Sequence, residues 1–135
     1  MSYKIEEIEG IGPTYAEKLQ AVSIQTTDDY LAKCATKAGR SEVAEATGIS
    51  ETHLLEWANL ADLMRIKGVG EEYADLLEEA GVDTVKELAT RNAENLVAKM
   101  EEVNASKNLV DRTPSETLVS GWIEEAGTLE PMISH

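Results

Sequence analysis

Apolar residues recur at intervals of three and four along nearly the whole chain, and no stretch alternates apolar and polar positions over a useful length. This spacing predicts helices, because one face of a 3.6-residue turn collects positions i, i+3, i+4 and i+7. Capping chemistry marks where the helices begin. Gly12 stands as an N-cap before Pro13, whose missing N–H costs nothing at a first helical position, and Ala16 and Leu19 follow on one face. Gly70 caps a second such helix, with Glu71 and Glu72 at the positive end of its dipole. Helices are also expected over about 41–47, stopped by Gly48, and over 51–66 after a Ser50 cap. Thr84 with Glu87, and Thr26 with Asp29, have capping-box spacing. Thr113 as N-cap, Pro114 at the first helical position and Glu116 two residues further on predict the last helix.

The pattern is used twice. "IEGIGPTYAEKL", Ile8 to Leu19, returns as "IKGVGEEYADLL", Ile66 to Leu77, and Gly10, Gly12, Tyr15, Ala16, Leu19 and Thr26 each find their counterpart 58 residues later. Gly81 is placed as the residue just past a helix end, whereas the first copy has Ser23 there, so that helix end is expected to be less comfortable. Trp57 and Trp122 do not share the interval, so the repeat is firm only over its glycine corner and the next helix. The helix feeding the second corner belongs to the first half. One helical domain over 1–126 is therefore expected, built of repeats at about 4–62 and 63–126, with a flexible tail at 127–135.

The motif apolar-x-Gly-apolar-Gly-x-x-x-Ala-x-x-Leu resembles the helix-hairpin-helix family at Ile8, Gly10, Ile11, Gly12, Ala16 and Leu19, and again at Ile66, Gly68, Val69, Gly70, Ala74 and Leu77. "GVDTVKELA" is similar, more loosely, to the C-terminal domain of RNA polymerase alpha subunits. Taken whole, the chain resembles a bacterial family catalogued only as a domain of unknown function. The resemblance implies an all-α fold of two hairpin repeats packed about a pseudo-twofold axis with additional helices. It also implies hairpin amides able to contact DNA phosphates without reading bases, and carbonyls able to hold a monovalent cation. The candidate residues are then Gly10, Ile11, Gly12 and Lys18 in the first copy and Lys67, Gly68, Val69 and Gly70 in the second.

Charge changes that picture. The chain carries 26 Asp and Glu against 12 Lys and Arg, a net charge of -14, which repels nucleic acid and anionic membrane at long range. Both halves are acidic, the second more so. Its corner opens onto "EEYADLLEE", where two carboxylates compete with a phosphate for the same N–H groups, so the first corner, opened by Pro13 and Thr14, is the better phosphate site. Lys18, Arg65 and Lys67 are expected to form a local basic strip inside an acidic molecule.

Phe is absent and aromatics are 4% of residues, so the core is expected to be aliphatic, with a few Tyr and Trp. Tyr15, Tyr73, Trp57 and Trp122 could stack bases, but their helical spacing beside Leu and Ala points to the core. No catalytic constellation is visible. His53 reads as a first-turn helix residue, His135 as part of the tail, and Cys34, the single cysteine, as a small buried side chain. The glycines lack the preceding strand and third glycine of a dinucleotide fingerprint, and the acids lack calcium-loop spacing. The expectation is a non-enzymatic, cytoplasmic interaction module without a cofactor, a protein-protein adaptor or scaffold that binds a protein partner or itself. Weak sequence-independent DNA binding is the alternative. No membrane partner is expected.

Overall fold

Two glycines set the plan of the molecule. In the computed structural model, which describes residues 2–135, Gly10 and Gly68 take φ of +95° and +89°, left-handed values that side chains rarely adopt. Each ends one short turn and aims the chain into a helix, and the hydrogen bonds around them match. Ile11 N–H donates to the Ile8 carbonyl and Val69 N–H to the Ile66 carbonyl, each at 3.1 Å; Ala16 then donates to Gly12 and Ala74 to Gly70, each at 2.9 Å.

Among the described residues the fold is all-α. Its helices are α1 (Pro13–Gln20), α2 (Thr27–Cys34), α3 (Lys37–Thr47), α4 (Glu51–Leu63), α5 (Glu71–Glu79), α6 (Val85–Leu88), α7 (Ala93–Lys107) and α8 (Glu116–Ala126). A 3-10 turn at Ile5–Glu7 precedes them, and one isolated antiparallel bridge joins Lys4 to Thr26.

The ends of α1 and α5 close in the same way. Ser23 and Gly81 donate to Gln20 and Glu78, while Ile24 and Val82 donate to Leu19 and Leu77, the paired bonds of a Schellman motif. Gly81 adopts φ +97° freely, whereas Ser23 is forced to φ +67°. The discomfort expected at Ser23 is therefore visible in the backbone.

Four expectations are corrected. Helix α3 begins at Lys37, four residues before its expected start, because the Thr36 hydroxyl accepts from Gly39 N–H at 3.0 Å. Helix α8 starts at Glu116 with Ser115 as its N-cap, because the Ser115 hydroxyl accepts from Leu118 N–H at 3.1 Å; Pro114, buried, sits outside the helix and Thr113 does not cap it. Helix α4 stops at Leu63, three residues early, so that the turn into Gly68 can form. At α6 only half of the expected box is present. Thr84 accepts from Glu87 N–H at 3.4 Å, but the Glu87 carboxylate turns to Arg91 at 2.8 Å. The Thr26 and Asp29 box is complete.

Helix α4 joins the halves, packing on α2, α3 and α5; α5 packs on α7, and α8 packs on α6 and α7. One continuous apolar cluster runs from Ile5 and Leu19 through Trp57 and Leu63 to Leu76, Leu88, Val119 and Trp122. A buried carboxylate also crosses between the halves. Asp62, on α4, accepts from Val85 N–H at 2.9 Å at the start of α6 and pairs with Arg65 at 2.7 Å. In the first half the matching N–H, of Thr27, donates to the backbone carbonyl of Tyr3 at 2.8 Å.

Residues 128–135 carry no helix, yet Leu129 and Ile133 pack on the core. Ser134 N–H donates to the Ala35 carbonyl, and the Ser134 carbonyl accepts from the buried Arg40 guanidinium.

Candidate functional site: the two glycine corners

The four corner glycines divide into two kinds. Gly10 and Gly68 are needed for φ, and each lies under a tryptophan. A Cβ on Gly10 would meet Trp57 Nε1 at 3.1 Å, and one on Gly68 would meet Trp122 Nε1 at 3.6 Å. Gly12 and Gly70 have ordinary φ values of -85° and -93°, and a Cβ there would meet nothing within 4 Å. Neither strain nor crowding requires glycine at these two N-caps. Lacking a side chain, they leave the first amides of α1 and α5 uncovered.

The tryptophans, although out of register in sequence, occupy matching places. Tyr15 packs on Trp57 with ring centroids 4.9 Å apart, and Tyr73 packs on Trp122 at 5.2 Å. Both indoles are buried, each 2% exposed, so they are walls of the corners and not platforms for bases. Ile11 and Val69 are buried as well, which pins each corner to the core.

Electrostatics separates the corners. At the second, the Glu125 carboxylate lies against the Lys67 N–H, with both oxygens at 3.3 Å. A carboxylate of the chain itself thus occupies a backbone donor of the corner. Glu71 at the opening of α5 has its carboxyl held above the usual range, first by burial and then by Glu9, Glu7 and Glu72. Asp75 is raised by burial, Glu9, Glu79 and Glu56, against the lowering effect of Lys107. Glu7 and Glu9 belong to the first corner, so acids of both corners act on one another along a negative ridge. It continues along α5 to Glu78, whose carboxyl is pushed up to about 7 by burial and then by Glu56, Asp75, Glu79 and Asp83.

The expected basic strip is not assembled as a free surface. The Arg65 guanidinium is taken by Asp62, while Lys18 and Lys67 are exposed and placed one at each corner. The first corner borders a groove lined by Ile11, Gly12, Pro13 and Ala16 and edged by Glu6 and Glu17.

The groups considered for chemistry have other work. His53 Nδ1 lies 3.0 Å from the Ser50 hydroxyl that caps α4, and its ring stacks on Trp57 with centroids 5.6 Å apart. Cys34 is a buried free thiol pushed up to about 11 by desolvation, so it is not a thiolate near neutral pH. No group of three or more His, Cys, Asp or Glu able to hold a metal ion occurs among the described residues. Nor is any described helix long and apolar enough to cross a membrane.

Sequence reasoning missed Glu125, Asp62 and Gly39. Gly39 is enclosed, since a Cβ would stand 2.0 Å from the Lys33 carbonyl oxygen. The capping pattern of α3 gives no sign of that approach.

The fold and its corners define an all-helical protein with a twice-used glycine turn and an acidic face. The chain belongs to the family described as "Domain of unknown function (DUF4332)", whose model matches residues 9–129. No curated protein matches it, and no solved structure does.

Proposed function

We propose that this chain is a non-enzymatic interaction module of helix-hairpin-helix type, its two repeats related by a pseudo-twofold axis, that docks a protein partner as an adaptor or scaffold. The observation that carries the reading is the Glu125 carboxylate on the Lys67 N–H, backed by the shared ridge of Glu7, Glu9, Glu71 and Asp75. A phosphate approaching the second corner would have to displace one carboxylate and lie among several others. A basic protein surface meets the opposite situation. The proposal includes a cytoplasmic setting.

One observation favours weak, sequence-independent DNA binding as a second reading. Gly12 leaves the amides of α1 uncovered where the first turn holds no acid. A monovalent cation on the corner carbonyls belongs to that reading too. Titrating labelled duplex and single-stranded DNA at low salt decides between the two, using the parent and a variant with bulky residues at Gly12 and Gly70. Those positions have room for side chains, so the variant keeps the fold. The adaptor reading predicts no binding by either protein. Binding by the parent that is lost in the variant, with a salt slope of roughly -0.9 per phosphate, would replace it with the second reading.

A further inference from the structure

Helix α8 carries a surface that folding does not explain. Its inner side is Val119, Trp122 and Ala126, whereas Leu118 on the outer side is 42% exposed, with only Met132 comparable among the described large apolar side chains. Gly121 stands in mid-helix, where glycine costs about 1 kcal/mol relative to alanine, yet a Cβ there would meet nothing within 4 Å. Packing within the chain requires neither residue. Together with Trp122 they line an open groove of ≈ 430 Å³, edged by Lys67, Thr117 and Glu125. A second depression shares Thr117 and Gly121 and adds Glu116, Ser120 and Glu124. Thr117, Ser120, Gly121 and Glu124 follow helical spacing, so a track of mostly short side chains runs along α8, and such a track lets another helix approach closely.

Charge decides what covers it. Helix α8 holds Glu116, Glu124 and Glu125 and no base, and a second copy of a chain with net charge -14 would be repelled. We infer that the α8 track takes a basic amphipathic helix of another protein. One aliphatic side chain of that helix enters the notch at Gly121, against Leu118 and Trp122, and its flanking lysines or arginines meet Glu116, Glu124 and Glu125. The inference rests on the adaptor reading and names its partner by chemistry.

The test is an anisotropy titration with a fluorescein-labelled synthetic peptide of leucine and lysine at amphipathic helical spacing, beside a scrambled peptide of the same composition. Gly121→Gln fills the notch and raises helix propensity, so folding is not at risk; Glu42→Gln, on α3, is the distant control. The parent is expected to prefer the patterned peptide, Gly121→Gln to weaken it about tenfold or more, and Glu42→Gln to leave it unchanged. Equal binding by parent and Gly121→Gln, or equal binding of both peptides, overturns the groove while leaving an acidic docking surface in place. No binding of either peptide overturns the groove and removes the basic partner from the adaptor reading as well.

Discussion

Replacing Glu78 by Gln should flatten the pH dependence of stability. Glu78 Oε2 is shielded from solvent without a hydrogen-bond partner, and the carboxyl is pushed from its ordinary 4.5 up to about 7 by burial and four neighbouring acids. Between those values the folded protein holds a proton that the unfolded chain has released. The associated stability is fully present below the unfolded value and is lost as pH rises through about 7. At full strength the difference corresponds to about 3 kcal/mol. Because the group is only half-buried, screening reduces this to roughly 1–2 kcal/mol. Urea denaturation of parent and Glu78→Gln in steps between about pH 5 and 8 reads it directly, using helical circular dichroism and the linear dependence on denaturant. The parent should weaken across the range and the variant should weaken less, so that the two curves diverge toward high pH. Asp75 and Glu71, also raised, leave the variant a residual slope. Parallel curves would refute the assignment of this pH dependence to Glu78.

The corner glycines should behave as two classes. Gly10→Ala and Gly68→Ala, at positive φ under tryptophans, should each cost about 1–2 kcal/mol or more, whereas Gly12→Ala and Gly70→Ala should change thermal stability by under about 1 kcal/mol; equal effects in both pairs would contradict the assignment. Ser23→Gly should stabilise by about 0.5–1 kcal/mol by relieving the left-handed serine, and a lower melting temperature would count against the strain. Gly39→Ala should destabilise by about 1–3 kcal/mol or more, because the Lys33 carbonyl must move; an unchanged urea midpoint would show that it moves freely. Cys34 should react with a thiol reagent only as fast as the protein opens, and rapid labelling of the native state would contradict its burial.

Much of this architecture was legible because it rests on local chemistry. Helix starts at Gly12, Thr26, Ser50 and Gly70, the stop at Gly81 and the tension at Ser23 are each set by residues within one turn of each other. The start of α8 misled because Thr113, Pro114 and Glu116 form a plausible local signal, but Ser115 reaches Leu118 N–H and Pro114 is buried beside the helix. What escaped depends on distant segments meeting. Asp62 caps a helix from the other half, Gly39 is crowded by a carbonyl of the preceding helix, and Trp122 matches Trp57 only in space. The acidity of α5 was plain in the sequence. The carboxylate found on a corner amide, however, is Glu125, contributed by α8 from the far end of the chain.

The central claim is that the acidic ridge, and not the amides of the corners, meets the partner. Amide chemical-shift mapping on isotope-labelled protein at low salt tests it most directly, with a short DNA duplex added to one sample and an oligolysine peptide to another. The account predicts shifts along Glu7, Glu9, Glu71 and Asp75 with the peptide, and none at the amides of Gly10, Gly12, Gly68 and Gly70 with the duplex. Selective shifts of those glycine amides on adding DNA, with the ridge silent toward the peptide, would contradict it.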